Sequence, residues 1–155
     1  MQEESWQPPE WWCPKGTHPS SDDAYFESMC RIIFQAGLNW RVIDKKWPTT
    51  KKSFACFSVE KVSKFTYSDV DRLMKDEGIV RNKGKIEAII QNALQFREIN
   101  KQHGSFRKYL QSMDKSKNYA NVVKELSARF KWLGPSSASL YLYTVGESIE
   151  HEGWM

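Results

Sequence analysis

Leu38 and Trp40 have types and spacing suited to chemistry at a surface. They stand in the run Phe34-Gln35-Ala36-Gly37-Leu38-Asn39-Trp40, at the end of an apolar helical segment that opens near Asp22. A Gly-Leu pair at a helix end puts an aliphatic side chain on a tight turn, and an indole follows two residues later. A soluble protein rarely wets such a pair without a use for it. The two side chains either pack down as core or insert into something. A base stack is one such host, with Leu38 as the wedge and Trp40 as the platform for a displaced base.

A second run with chemical potential is Lys131-Trp132-Leu133-Gly134-Pro135-Ser136-Ser137. A helix ends there, Gly134 permits a tight turn, and Pro135 suits the first turn of the next helix. That helix exposes free N–H groups and the positive end of its dipole. A phosphate fits such a terminus, with Ser136 or Ser137 adding a hydroxyl. The plainer reading, a joint between two packed helices, stays open on spacing alone.

Charge distribution bears on both runs. The 155 residues carry a net charge of +4, and acids gather toward the two ends. Basic groups fill the middle, with Arg81, Lys83 and Lys85 forming one cluster and Lys131 lying further on. This pattern fits a polyanion, and it equally fits solvated helix faces. Mean hydropathy of -0.65 and the lack of a long apolar run predict no membrane span. No leader of the charged-apolar-small type opens the chain. The 3 cysteines form no C-x-x-C, and an odd count points to free thiols in a reducing cytoplasm.

The elements that must position these residues read as helices. Residues 1–21 hold Pro8, Pro9, Pro14 and Pro19 with Trp6, Trp11 and Trp12, which predicts an irregular arm laid over the domain. Residues 22–155 read as one helical domain. Asp22 or Asp23 caps a first helix bearing Tyr25, Phe26, Met29, Ile32 and Ile33. Asn39 caps a second, which Pro48 interrupts, with Thr49 or Thr50 restarting a short helix. Ser58 and Ser68 precede two more, the latter stopping at Gly78. The clearest helix runs from about Asn82 to Gln102 and ends at Gly104. Short helices follow over Ser105–Met113 and Tyr119–Phe130, and a last one starts near Ser136. No strand alternation interrupts them. The predicted fold class is all-α, an orthogonal multi-helix domain.

Four blocks together resemble the bacterial DNA-3-methyladenine glycosylase I family of the helix-hairpin-helix DNA glycosylase superfamily. They are Asp22-Asp23 with Phe26-Glu27 leading to Gln35–Trp40; Gly78–Ile86 followed by Asn92-Ala93; Gly104-Ser105-Phe106 with Tyr109-Leu110; and Phe130–Pro135 with Gly146 and His151. Order and spacing hold from about residue 22 to 151. The resemblance implies that Gly37 and Leu38 enter the gap left by an extruded nucleotide. It implies that Trp40 lines the base pocket and that the hairpin from Gly134 to Ser137 grips the DNA backbone. N3-methyladenine is cationic and a good leaving group, so an aromatic pocket holding a cation needs little acid catalysis.

The chain also departs from the family. The base-recognising glutamate position falls on Ile32. The usual catalytic aspartate position falls on Ile149, with Glu150 beside it. The family's zinc ligands are incomplete: only His151 aligns, and Cys13 and His18 are spaced as ligands without a fourth. No metal and no organic cofactor is therefore expected.

The expected activity is removal of an alkylated purine such as 3-methyladenine from double-stranded DNA, by hydrolysis of the N-glycosidic bond. Leu38 fills the vacated stack. Trp40 holds the base, with Trp11 or Trp12 on its other face and Ile32 in the pocket. Lys131, Gly134, Ser136, Ser137, Arg81 and Lys83 meet phosphates. Glu150 reads either as a stabiliser of the sugar cation or as a solvated tail acid. A cytoplasmic monomer is expected. The rivals are a non-catalytic DNA-binding relative that has lost the base-reading acid, a glycosylase whose pocket is rebuilt by the arm, and a helical module that docks a protein through Trp6, Trp11 and Trp12.

Overall fold

Every regular element among residues 7–150, which the computed structural model describes, is helical. Helix α1 (Asp22–Gln35) starts where the Ser21 side chain accepts from the Ala24 N–H at 3.1 Å. Asp22 and Asp23, the expected caps of α1, serve other helices instead. Asp22 Oδ1 accepts from the Phe106 N–H at 3.0 Å, at the start of α6 (Phe106–Gln111). Asp23 Oδ1 accepts from the Val59 N–H at 3.0 Å, at the start of α3 (Val59–Ser63). The first turn of α1 thus satisfies orphan donors on two neighbours and fixes three helices against one another.

Helix α2 (Trp40–Ser53) is capped by Asn39, whose side chain accepts from the Arg41 N–H at 2.9 Å. Pro48, expected to interrupt it, lies inside it. Proline removes one ladder bond. Burial of Ile43 and Trp47 before it and of Thr50 after it carries the helix across, and the Thr50 hydroxyl donates to the Lys46 carbonyl at 2.7 Å. No helix restarts at Thr49 or Thr50. Residues 55–57 form a left-handed turn instead, with φ values between +52° and +56°. The buried rings of Phe54 and Phe57, stacked at 5.4 Å, hold it.

Helix α4 (Tyr67–Met74) begins before Ser68 because Thr66 and Asp69 form a capping box, and it stops at Lys75, short of Gly78. Helix α5 (Lys83–His103) is the longest. It runs from the Asn82 cap to Gly104, whose φ of +89° favours glycine. Helices α7 (Ser116–Arg129) and α8 (Pro135–Thr144) follow, α7 turning left-handed at Lys117–Tyr119 before it settles. Helix α5 packs against α1, α3, α4 and α6, while α1 also meets α2 and α8. An aromatic seam fills the core between them, with Phe96 and Phe106 stacked at 4.5 Å and Trp47 and Phe57 at 5.1 Å. Such pairs add about 0.5–1.5 kcal/mol beyond the area they bury.

The arm is tied to the end of the chain by backbone hydrogen bonds. The Cys13 N–H donates to the Thr144 carbonyl at 2.8 Å, and the Gly16 N–H to the Gly146 carbonyl at 2.9 Å. Gly146, at φ +88°, lies so close to the Thr17 carbonyl that a Cβ would collide with it. Cys13, Cys30 and Cys56 are free thiols. No described helix is long and apolar enough to cross a membrane. Trp6 and His151 lie outside the described residues.

Candidate functional site

The turn after α1 stands out of the core. Gly37 takes φ +76°, and the Leu38 N–H closes the turn on the Gln35 carbonyl at 3.0 Å. Leu38 is 46 % exposed, and Trp40, the first residue of α2, is 55 % exposed. Neither is a core residue. Behind the turn lies Lys85, which the sequence grouped with the basic surface. It is buried, and its Nζ donates to the carbonyls of Phe34 at 3.1 Å and Ala36 at 2.7 Å. Helix α1 ends without enough partners for its last carbonyls, and the ammonium supplies them. Burial pushes the Lys85 ammonium below its ordinary value. The two carbonyl bonds favour the charged form and so oppose that shift.

The hairpin between α7 and α8 reaches the same lysine. Trp132, at φ +60° and 52 % exposed, places its ring 5.7 Å from Lys85 Nζ. A Cβ on Gly84 would stand 3.3 Å from the Trp132 ring, so the glycine admits the indole onto the start of α5. The buried amide of Asn92 binds the backbone of Lys131. Pro135 occupies the first turn of α8 and Gly134 precedes it; no side chain caps that terminus. The N–H groups of Ser136 and Ser137 in that first turn have no intrahelical acceptor. Arg81, Lys83 and Lys131 are exposed, Lys83 lying 3.9 Å from Glu87. Lys85 thus links the Leu38 turn to Trp132, with Lys131 next to Trp132 in the chain and Lys83 next to the Gly84 that Trp132 covers.

A cleft of about 360 Å³ opens where the arm crosses α1. Trp11, Cys13 and His18 line it from the arm, and Glu27, Ser28 and Arg31 from the helix. Arg31 is only 8 % exposed. Its guanidinium carbon lies over the Trp11 ring at 4.8 Å and over the Trp47 ring at 5.0 Å, and it is paired with Asp44. Burial lowers the Arg31 pKa, and the adjacent Asp44 carboxylate opposes that shift. Glu27 accepts from Trp47 Nε1 at 3.0 Å and pairs with Lys51 at 3.1 Å, so both of its oxygens are engaged.

The cleft does not bring together the residues that the sequence assigned to a base pocket. Ile32 is 1 % exposed and belongs to the core, not to the cleft. A helix turns about 100° per residue, and on α1 that hands the cleft to Arg31. Trp11 lines the cleft, but the indole that joins it at Arg31 is Trp47, not Trp40. Trp12 packs edge-on against Tyr143 at 5.6 Å and Trp11 at 6.0 Å. Glu150 is exposed and held by its backbone, its N–H donating to Asn118 Oδ1 at 2.8 Å. It does not line the cleft. A polar stripe of Glu27, Ser28 and Arg31 along the otherwise apolar middle of α1 was the signal that could have found this surface.

Cys13 and His18 share the cleft, but no group of three His, Cys, Asp or Glu side chains placed to hold a metal exists among the described residues. His18 Nδ1 lies 2.9 Å from the Pro19 carbonyl. Cys13 and His18 by themselves supply two of the four donors a structural zinc takes, and His151 lies outside the described residues.

Known proteins share this fold. The Methyladenine glycosylase family model matches residues 8–143. DNA-3-methyladenine glycosylase of Haemophilus influenzae is 33 % identical over 101 residues, which is 65 % of this chain and 55 % of that protein. DNA-3-methyladenine glycosylase 1 of Escherichia coli is 39 % identical over 84 residues, 54 % of this chain and 43 % of that protein. The matched segments thus span about half the length of these two relatives. The solved structure of 3-methyladenine DNA glycosylase I from Staphylococcus aureus superposes with a TM-score of 0.75 at 28 % identity, covering 89 % of this chain and 84 % of that one. A tyrosine-to-phenylalanine variant of a 3-methyladenine DNA glycosylase I, solved in complex with 3-methyladenine, gives a TM-score of 0.72 at 28 % identity, over 86 % of this chain and 84 % of that one.

Proposed function

This chain belongs to the methyladenine glycosylase family, and from that premise we propose that it excises an alkylated purine, such as 3-methyladenine, from double-stranded DNA by hydrolysing the N-glycosidic bond. The observation that carries the reading is the exposed Leu38 turn, braced by Lys85, whose ammonium also lies against the hairpin at Trp132. An aliphatic side chain on a rigid turn replaces an extruded nucleotide in the stack. Trp40 offers an indole beside it. The α8 terminus and its neighbouring cations hold the backbone and carry no sequence information.

Hydrolysis of such a base asks little of the protein. Alkylation at N3 places positive charge on the purine, which weakens its bond to the sugar. Holding the base out of the duplex and admitting water then suffices, with no metal or organic cofactor. The protein acts as a cytoplasmic monomer, away from any membrane.

One feature supports a second reading. The family's acid position is Ile32, sealed in the core, which suits a DNA-binding relative without catalysis. Incubation with methylated duplex DNA and chromatography of released bases separates the two. Release of a methylated purine is expected. Salt-sensitive binding with no release from a panel of lesions favours the binder.

A further inference from the structure

We infer that Arg31 sets the substrate subclass, directing the site toward alkylated purines that carry a 6-oxo group, with 3-methylguanine preferred to 3-methyladenine. The inference rests on the glycosylase reading above and on the cleft beneath the arm receiving the base. The cleft of about 360 Å³ falls within the range of small-molecule sites, roughly 300–1,000 Å³. Its helical wall runs along α1 through Glu27, Ser28 and Arg31 toward the Leu38 turn. Arg31 lies one helical turn, about 6 Å of rise, before the last residue of α1.

A cationic base could be held by the faces of aromatic rings. Here the guanidinium of Arg31 already lies over Trp11 and Trp47. The cleft therefore reads a base by hydrogen bonding at Arg31. Asp44 binds Nη2 of the guanidinium, while Nε and Nη1 have no hydrogen-bond partner among the described residues. A nearly buried cation with spare donors on a cleft wall calls for acceptors on the ligand. Asp44 and Glu27 lie beside it and balance its charge, so a positively charged purine is not shut out.

The two candidate purines differ at the edge such donors meet. A guanine presents O6 and N7, both acceptors, which match the arginine fork. An adenine presents N7 with an N6 amine, a donor facing a donor. Methylation at N3 leaves both edges intact. Glu27 compensates only weakly by accepting from the adenine amine, because each of its oxygens already holds a donor, Trp47 Nε1 on one and Lys51 Nζ on the other.

The test uses the full chain and one duplex methylated with dimethyl sulfate. Release of 3-methylguanine and 3-methyladenine is followed by chromatography, each normalised to its content in the DNA. The wild type is expected to release 3-methylguanine faster. Arg31→Met keeps bulk over the indoles and removes the donors. It is expected to lower the ratio of guanine to adenine release at least about fivefold. Arg31→Lys keeps charge without the fork and is expected to fall between them. The ratio is insensitive to partial loss of folded protein. Faster wild-type release of 3-methyladenine, or an unchanged ratio in Arg31→Met, overturns the inference and leaves the glycosylase reading standing. Release of neither base by the wild type overturns both.

Discussion

The side-chain amide of Asn92 grips both backbone groups of Lys131, accepting from its N–H at 2.8 Å and donating to its carbonyl at 3.0 Å. Asn92 is wholly buried in α5, so the hairpin is hung on the core helix from within. Asn92→Ala leaves these two backbone groups without partners. A loss of about 1–3 kcal/mol of stability is expected, read as a lower midpoint in chemical denaturation. DNA affinity falls with it, because the α8 terminus loses its register. Retention of both stability and affinity contradicts the role of this clamp.

If Leu38 is the wedge, Leu38→Ala removes it without touching the cations proposed to meet phosphates. Affinity for a duplex with an abasic site is expected to fall about tenfold, and affinity for intact duplex much less, since only the gapped stack has a space to fill. Fluorescence anisotropy with the two duplexes checks this. An equal loss on both rules out the wedge.

Lys131→Ala removes an exposed cation beside the hairpin. If it neutralises one phosphate, the slope of log K against log salt becomes shallower by about 0.9. The loss is expected to be uniform across DNA sequences. A salt titration that leaves the slope unchanged takes Lys131 out of the interface.

Asp22→Ala strips the side-chain partner from the Phe106 N–H and one of the two acceptors of the Asn100 amide, which donates to the same carboxylate at 3.1 Å and to the Gly104 carbonyl at 3.1 Å. A destabilisation of about 1–2 kcal/mol is expected, the usual cost of a lost cap. Asp23→Ala acts alike through Val59. Thermal melting distinguishes this from solvated acids, whose removal changes little.

The Tyr25 hydroxyl is buried with no hydrogen-bond partner among the described residues, and burial pushes its pKa up to about 12. Tyr109 is likewise raised to about 12, chiefly by burial. Because these folded values lie above the unfolded value near 10, the native state holds more protons between about pH 10 and 12. Stability is therefore intact below pH 10 and is lost as pH climbs through that window. Tyr25→Phe removes an uncompensated polar atom. It is expected to raise Tm by a few degrees at pH 7 and to soften the alkaline loss. A lower Tm at pH 7 sinks this account.

Local chemistry alone determined much of this protein. The period of α5, its Asn82 cap and its Gly104 stop depend on residues within a few positions of one another, and so does the Gly37–Leu38 turn. The all-helical class, the turn at Gly37–Leu38 and the Gly134–Pro135 hairpin could therefore be read from the chain. Contacts between distant segments decided the rest. Pro48 sits inside α2 because Ile43 and Trp47 are buried by the core, a force that no local rule for proline contains. Asp22 and Asp23 cap α6 and α3, which lie 84 and 36 positions away at the bonded N–H groups. Lys85 is a strut under α1 where its sequence neighbours are surface cations. Above all, whether Arg31 or Ile32 meets the cleft depends on the rotation of α1 against α5 and α8. Only packing of the whole set of helices fixes that angle.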